Sequence, residues 1–411
     1  MKINIVNDIK SNPIQYVIIF YAFIIPLSKA SVTIFAGIFL IILLITQKNN
    51  YKVFINNIWG NNVFKYFLIF IFLHIFSLIF VNSIDMNDAL LYIKRYVYLI
   101  IPALAIYTLL KNEYIDKVIR SFIFGMFVSE MLSYGIFFEL ITMKHGTPND
   151  PTPFMNHIDY SIFLVFTSLI LLNRVINEVE IKNKIFYFLF FCSTTINLFI
   201  TGGRIGQLAF FVSLFVLFFI NFKHKLKAFI IGLLITSSIF FIAFNFSSTF
   251  SNRISNGISN INNVIEKQNY CTSWGMRIGA LIISKDIISQ NPILGVGIQN
   301  HIIQLREIID RKYKNMECLR WFNTYHNQYI DALTQFGIVG LLIFLMIFIS
   351  LFKLKFINKE YKNISIIFIF VFLIGFLGDA LFYRYFIVGL FGIFLGLILK
   401  ASTNKVVSKN E

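Results

Sequence analysis

Charged residues are scarce in this chain of 411 residues. They account for 14% of it, whereas an average soluble domain has about 25%, and hydrophobic residues reach 57% with a mean hydropathy of +0.74. Fifty of the residues are phenylalanine, too many to be kept away from water in a soluble fold. The composition therefore excludes an ordinary soluble protein and predicts a membrane protein.

Several common signatures are missing as well. The sequence has no CxxC or HExxH pattern, so neither a metal site nor a cofactor is expected. It also lacks a secretory signal with a small-residue cleavage site, and the first apolar run is therefore expected to be a retained span. Of only three cysteines, Cys192 lies in an apolar run. Cys271 and Cys318 share one long polar loop and can form a disulfide if that loop faces an oxidising compartment.

Acidic residues are few, 20 against 36 basic ones, which gives a net charge of +16. Most of the lysines and arginines lie in short clusters between apolar runs, the arrangement typical of loops at an anionic membrane surface. The excess of positive charge therefore indicates membrane lipid as a partner, and no nucleic acid is expected.

Twelve apolar runs predict an all-α polytopic membrane protein with about twelve transmembrane helices. Each run approaches the ~20 residues that a helix needs to cross the hydrocarbon core, although the first two are short. The runs lie near residues 14–27, 31–46, 64–81, 89–110, 118–142, 157–173, 185–201, 205–221, 228–246, 336–352, 363–379 and 386–400.

The basic residues predict the orientation. Alternate segments between the runs carry 21 of the 36 lysines and arginines, including Lys2, Lys405 and Lys409, and the opposite short segments carry four. By the positive-inside rule both termini are expected in the cytoplasm. The predicted organisation is nine spans in residues 1–245, a large outward loop carrying short helices in residues 246–325, and three spans in residues 326–411.

The outward loop is expected to have helical structure of its own. From Trp274 to Ser289, an apolar face is formed by Trp274, Ile278, Leu281 and Ile282 at helical spacing. Such a helix can lie at the membrane surface.

The strongest local motif begins at His326. A polar helix follows it and runs through Gly337 directly into a span, so His326 is expected at the outer mouth of that helix. A histidine there can act as a general base near neutral pH, with Asn327 beside it as a substrate-binding candidate. The alternative is a histidine that only caps the helix or lies at the interface.

Two outward arginines are candidates for binding an anion. Arg204 ends the sequence TGGR at the start of a span, where glycines permit a tight turn and the helix N-terminus attracts negative charge. Arg277 lies at the start of the predicted surface helix. The alternative for Arg204 is a side chain that only anchors the end of its helix.

Charged residues inside or beside the spans form a third group. Lys94 and Arg95 lie about 10 Å inside the fourth span, where charges usually face a cavity or a partner, although they can also extend to the outer surface. His157 and Asp159 open the sixth span and either line the same cavity as His326 or serve only as interfacial and capping residues.

Two further features have simpler interpretations. Asp379 and Arg384 flank the last outer turn and can simply pair with each other. The sequence NPILGVG at residues 291–297 is expected to be a turn with a structural role.

Together these segments resemble the O-antigen ligase/polymerase family of bacterial inner membranes. The resemblance is carried by TGGR, by Trp274 and Arg277 in a W-x-x-R pattern, by NPILGVG, and above all by HNQYIDALTQFGIVGLL. It departs from the family pattern at Gly203, where serine often precedes the arginine, and at Ile330, where leucine is common. The resemblance implies a GT-C-like membrane fold with one large periplasmic loop before the last three spans.

The resemblance also implies a metal-independent glycosyltransferase. Its expected partners are an undecaprenyl-diphosphate-linked glycan as donor and a lipid A–core oligosaccharide as acceptor. His326 is then the expected base, and Arg204 and Arg277, with Lys94 and Arg95, are the expected cations for the diphosphate. A single large loop favours a ligase. An O-antigen polymerase, a protein O-oligosaccharyltransferase and a transporter of the lipid-linked glycan are the alternatives.

Overall fold

Every apolar run of the sequence forms a helix in the computed structural model, which describes residues 5–81, 85–144 and 146–402. Within these residues no β-strand occurs, apart from an isolated bridge between Thr147 and Asp150. The helices are α1 (Ile5–Ser11), α2 (Pro13–Ile24), α3 (Lys29–Gln47), α4 (Tyr51–Gly60), α5 (Asn62–Ser77), α6 (Met86–Leu109), α7 (Ile115–Phe137), α8 (His157–Asn177), α9 (Ile181–Ile200), α10 (Arg204–Asn221), α11 (Lys225–Phe246), α12 (Ser248–Lys267), α13 (Ser273–Gln290), α14 (Asn300–Lys312), α15 (Gln328–Phe352), α16 (Lys359–Gly378) and α17 (Tyr385–Ser402).

Ten helices in the described part of the chain are long and apolar enough to cross a membrane, which confirms the predicted all-α polytopic class. They are α3, α5, α6, α8, α9, α10, α11, α15, α16 and α17. The prediction of about twelve spans also included α2 and α7. At 12 residues, α2 is only about 18 Å long, and α7 carries four charged residues, Asp116, Lys117, Arg120 and Glu130.

Two of the helices occupy the centre of the bundle. Most residues of α8 and α17 are buried, so both are surrounded by other helices. In contrast, α11 leaves nearly all of its apolar side chains exposed and lies at the periphery, where lipid is the natural solvent.

The predicted outward loop folds around a hydrophobic core of its own. It lies between α11 and α15 and carries α12, α13, α14 and a 3₁₀ segment, Lys314–Trp321. Cys271 and Cys318 are joined in a disulfide with their Cα atoms 5.7 Å apart. The core consists of Ala280, Ile283, Ile287, Ile302, Leu305, Ile309, Met316, Leu319, Phe322 and Tyr325.

The helix predicted from Trp274 to Ser289 is present as α13, but its predicted apolar face is not the face that packs. Trp274 and Leu281 are exposed, whereas Gly279, Ile283 and Ile287 are buried. Small residues allow this other face to approach the rest of the loop closely, as at Gly279, where an added Cβ would contact the side chain of Leu319.

The predicted turn at residues 291–297 docks against a break in α15. Gly337 has φ +61° and interrupts the helix, and Gly297 N donates to Gln335 O at 2.7 Å. On the other side of the break, Ile338 N donates to Pro292 O at 2.9 Å. These bonds supply partners to backbone groups that the break leaves free, so the turn has the structural role that the sequence predicted.

Parts of the orientation argument lie outside the described residues. Lys2, Lys405 and Lys409 belong to segments that the structure does not describe.

We call the end of the bundle that carries the folded loop the loop end.

Candidate active site

A cavity of about 640 Å³ opens at the loop end of the bundle. It is formed where the starts of α3, α8 and α17, the middle of α6, and the connections before α8, α15 and α17 come together. Its charged and imidazole-bearing lining residues are Lys29, Arg95, Asp150, His157, Asp159, His326, Asp379 and Arg384. We call it the loop-end cavity.

His326 lies in this cavity in an unusual backbone conformation. Its φ of +50° falls in the left-handed region, which a residue with a Cβ adopts at a cost. Asn327 begins α15 directly after it by accepting hydrogen bonds from Tyr329 N and Ile330 N, and its Nδ2 donates to Leu377 O at 3.0 Å. The ring of Phe322 contacts the imidazole edge to face, with centroids 4.6 Å apart. The surrounding structure therefore fixes the position of the imidazole.

A buried carboxylate faces the imidazole. His326 Nδ1 lies 3.5 Å from Asp379 Oδ2, and Arg384 Nη2 donates to the same oxygen at 2.7 Å. Burial alone would raise the pKa of Asp379, but the adjacent His326 and Arg384 outweigh it and hold that pKa well below its usual range. Asp379 is therefore ionised at neutral pH. Nδ1 of His326 has no hydrogen-bond partner among the described residues, so its contact with Asp379 is electrostatic, and the negative charge favours the tautomer with the proton on Nδ1 and the lone pair on Nε2.

Arg384 extends the network to α8. Its Nη1 lies 3.3 Å from Asp159 Oδ1, and Asn156 Nδ2 donates to Asp159 Oδ2 at 3.2 Å. The two carboxylates outweigh the burial of the guanidinium and raise the pKa of Arg384. The expected pairing of Asp379 with Arg384 is present, and it forms part of a larger group that includes His326 and Asp159.

A second imidazole–carboxylate pair connects the cavity to the TGGR turn. His157 Nδ1 lies 3.2 Å from Asp150 Oδ2, and Asp150 Oδ1 accepts a hydrogen bond from Gly202 N at 2.9 Å. Burial opposes ionisation of Asp150, but these contacts prevail and lower its pKa. The connection before α8 is thereby fixed to the start of α10.

Three arginines form a cationic group beside the cavity: Arg204, Arg253 and Arg277. An added Cβ on Gly202 would lie 2.6 Å from Arg253 Nη2, so glycine lets this guanidinium rest against the turn. The charge of Arg277 acts on Arg204, and the charge of Asp379 acts on Arg277, so Arg277 lies near both the turn and the cavity. Burial lowers the pKa of Arg277.

None of these three guanidiniums has a carboxylate within 4 Å among the described residues. Within the described part of the chain, Nη1 of Arg204 is buried without a hydrogen-bond partner, and Arg277 donates only to Ser273. Such uncompensated cations are suited to an anionic substrate group.

The predicted site residues therefore fall into two sets. His326, Arg95, His157 and Asp159 line the loop-end cavity. The other four do not line it: Arg204 and Arg277 belong to the adjoining cationic group, Lys94 is exposed, and Asn327 caps α15.

Three residues of the site were not predicted from the sequence as site residues: Asp150, Lys29 and Arg253. Asp150 is part of a polar, turn-rich stretch before α8, and Lys29 is one of the few basic residues in the segments predicted to face outward. These positions in outward polar segments could have indicated both residues as candidates for the site. Arg253 lies in a polar helix without a distinctive pattern, and only folding brings it to the turn.

The fold and this site define a polytopic α-helical membrane protein with an imidazole–carboxylate pair beside uncompensated arginines at one end of the bundle. Residues 188–345, from α9 into α15, match the family model described as O-antigen ligase. This match confirms the predicted resemblance to the O-antigen ligase family, and it supports a membrane protein that transfers glycans as a ligase or polymerase. The matched stretch contains Arg204, Arg277 and His326. A search of curated proteins finds no match to the chain.

Proposed function

We propose that this protein transfers a glycan from undecaprenyl diphosphate to a sugar hydroxyl of lipid A–core at the periplasmic face of the bacterial inner membrane. The observation that carries this proposal is the position of His326, paired with Asp379 in a cavity that adjoins three arginines without carboxylate partners. The reaction needs a base for the acceptor and positive charge for the leaving group, and these residues supply both.

His326 acts on the acceptor. Its Nε2 accepts the proton of the attacking hydroxyl while Asp379, held by Arg384, stabilises the imidazolium that forms. The acceptor oxygen forms a bond to the anomeric carbon of the donor sugar. With 30% of its side chain exposed, His326 is accessible to such a hydroxyl.

The cationic group acts on the leaving group. As the bond from the anomeric carbon to the phosphate oxygen breaks, its electron pair passes to the diphosphate, which gains negative charge. Arg204, Arg253 and Arg277 stabilise that charge, and preorganised donors of this kind contribute several kcal/mol to a rate. Because the hydroxyl attacks from the side opposite the leaving group, the anomeric centre is inverted.

The arrangement of the chain supports a ligase at the outer face. The chain has one large folded loop, and its disulfide suits an oxidising compartment such as the periplasm. The loop end also carries the cavity, so the site and the outward loop are on the same side of the bundle.

The base assignment is tested by glycan transfer with purified protein in lipid nanodiscs, using a labelled lipid-linked donor. His326→Ala is expected to reduce the transfer rate by about 10²- to 10⁴-fold, because the base is lost, while donor binding remains. His224→Ala, at an exposed histidine before α11, is the matched control and keeps the wild-type rate. Normal transfer by His326→Ala would show that the base assignment is wrong.

The leaving-group assignment is tested in the same assay. Arg204→Ala is expected to abolish measurable transfer, and Arg204→Lys to restore it poorly, because an ammonium lacks the planar fork that binds two phosphate oxygens. Arg311→Ala, at a guanidinium with 81% exposure in α14, is the matched control. The labelled product identifies the acceptor: label on lipid A–core supports the ligase, whereas lengthened lipid-linked glycan or glycosylated protein supports one of the alternatives.

A further inference from the structure

Two cations at the α3–α6 side of the loop-end cavity have no role in the steps above. Arg95 has 7% exposure, and its buried Nε and Nη1 have no hydrogen-bond partner in the residues that the structure describes. Its guanidinium carbon lies 3.6 Å from the ring centroid of Tyr385 and 4.8 Å from that of Tyr383, while Nζ of Lys29 lies 4.7 Å from the Tyr385 centroid. Lys29 and Arg95 therefore share an aromatic contact, and we call them the cationic pair.

The carboxylates of the cavity do not neutralise this pair. Asp379 and Asp159 are bound to Arg384, and Asp150 is bound to His157. Among the described residues neither Lys29 nor Arg95 has a carboxylate within 4 Å. Lys29 is exposed, but Arg95 is buried, and a buried charge is costly unless it is paired. A cation–π contact recovers only part of that cost, so the position of Arg95 is suited to an anion.

The cationic pair is separate from the arginines assigned to the diphosphate. Lys29 and Arg95 belong to α3 and α6, whereas Arg204, Arg253 and Arg277 belong to α10, α12 and α13. Of these two groups of cations, only Lys29 and Arg95 line the cavity together with His326. The site thus offers two anion-binding positions supplied by different helices, but the donor requires only one.

Groups suited to a sugar lie in the same cavity. Trp321 is 88% exposed on its wall, and Asn323 lies two residues further along the same connection. An exposed aromatic face and an amide can bind the apolar face and the hydroxyls of a sugar ring. An anion attached to a sugar fits these surroundings better than the headgroup of a membrane lipid.

We propose that Arg95 and Lys29 bind an anionic group, a phosphate or a carboxylate, carried by the acceptor sugar. This inference rests on the proposed transfer to an acceptor hydroxyl, and it specifies the chemical class of that acceptor. The anion fixes the acceptor in the cavity so that its hydroxyl reaches His326.

The test measures binding and does not depend on transfer. Saturation-transfer NMR on the full chain in phosphatidylcholine nanodiscs compares glucose 6-phosphate with glucose, its neutral counterpart. Glucose 6-phosphate is expected to bind at least about tenfold more tightly, and Arg95→Gln to remove that advantage, because a charge-assisted contact is lost. Lys52→Gln, at an exposed lysine of α4 that does not line the cavity, is the control for loss of one positive charge and keeps wild-type binding.

Reciprocal variants separate the two anion positions. Arg95→Gln is expected to leave the binding of inorganic pyrophosphate unchanged, whereas Arg204→Gln weakens pyrophosphate binding and leaves glucose 6-phosphate binding unchanged. Arg95→Lys retains the charge and is expected to keep part of the affinity, which distinguishes loss of charge from loss of folding.

Three results would overturn the inference. The first is equal binding of glucose and glucose 6-phosphate, and the second is unchanged binding of glucose 6-phosphate by Arg95→Gln. The third is loss of glucose 6-phosphate binding when phosphatidylglycerol is added to the nanodiscs, which would assign the position to a lipid headgroup. Transfer that depends on His326 would remain under each of these results, so failure of this inference is distinguishable from failure of the proposed function.

Discussion

Asp379 connects the proposed base to the rest of the bundle. It is buried, it directly follows α16, and it contacts both His326 and Arg384. Through Arg384 it is linked to Asp159 on α8. We therefore assign Asp379 as a positioning residue that selects the tautomer and orientation of His326.

Asp379→Asn tests this assignment. The transfer rate is expected to fall by about 10²- to 10⁴-fold, because an amide neither selects the tautomer of His326 nor stabilises its imidazolium. The variant should retain donor binding. Asp286→Asn is the control, since Asp286 pairs with Lys312 at 2.9 Å on the surface of the loop and such pairs contribute about 0–1 kcal/mol. Transfer at the wild-type rate in Asp379→Asn would contradict the positioning role.

Asp379 is also expected to make the stability of the fold depend on pH. The folded-state pKa of Asp379 lies below the unfolded value of about 3.9, so its ionised form is stabilised by folding. That stability is complete above the unfolded pKa and is lost as pH falls through the folded one. The difference in melting temperature between the wild type and Asp379→Asn should therefore be full at pH 7 and decrease below about pH 4.

At the scale of elements, the break in α15 determines where His326 lies. The first turns of α15 are fixed to the turn at residues 291–297, and Gln328 Oε1 accepts a hydrogen bond from Phe382 N at 3.0 Å. The start of α15 is thus attached both to the folded loop and to the connection before α17. A continuous helix would remove the backbone groups with which the turn pairs.

Gly337→Ala tests the importance of this break. Gly337 has φ +61°, and an added Cβ would lie 2.3 Å from Ile293 C and Ile293 O, so the substitution is expected to destabilise the fold by about 1–3 kcal/mol or more. Transfer should fall as well, because His326 loses its support. Thermal unfolding in detergent and the transfer assay measure the two effects.

Gly37→Ala is the matched control for that prediction. Gly37 lies inside α3 with no atom within 4 Å of an added Cβ, so alanine there is expected to be neutral or to stabilise the helix by roughly 0.5–1 kcal/mol. A Gly337→Ala protein as stable and as active as Gly37→Ala would show that the break is not required.

At the scale of the whole molecule, one hydrophobic core joins helices from both ends of the chain. Phe122 of α7 and Phe166 of α8 contact Phe394 of α17, with ring centroids 5.0 and 4.4 Å apart. The spans before and after the large loop therefore pack as one body, and the cavity forms between them. The loop has a separate core, stabilised by the disulfide.

The orientation of this body is testable by cysteine labelling. In a background with Cys192→Ser, Asn256→Cys in α12 is expected to react with a membrane-impermeant maleimide in intact spheroplasts, because the positive-inside rule predicts that the loop faces outward. Lys355→Cys, between α15 and α16, is expected to react only after permeabilisation. The reverse pattern would contradict the positive-inside assignment.

The sequence by itself determined the helices and the chemistry of the motifs. Hydropathy and run length are local properties, so all twelve apolar runs were predicted as helices, and His326 was placed before α15 from its local pattern. The turn at residues 291–297 was also evident, because asparagine, proline and glycine act on their own backbone.

Only the tertiary structure decided which side chains meet. Lys94 and Arg95 are adjacent in sequence but point about 100° apart around α6, and packing alone turned Arg95 towards the cavity. Because α8 is buried on nearly every side, its sequence does not indicate which neighbour Asp159 faces. Asp379 reaches His326, and Arg253 reaches the TGGR turn, through contacts between helices that no local periodicity encodes.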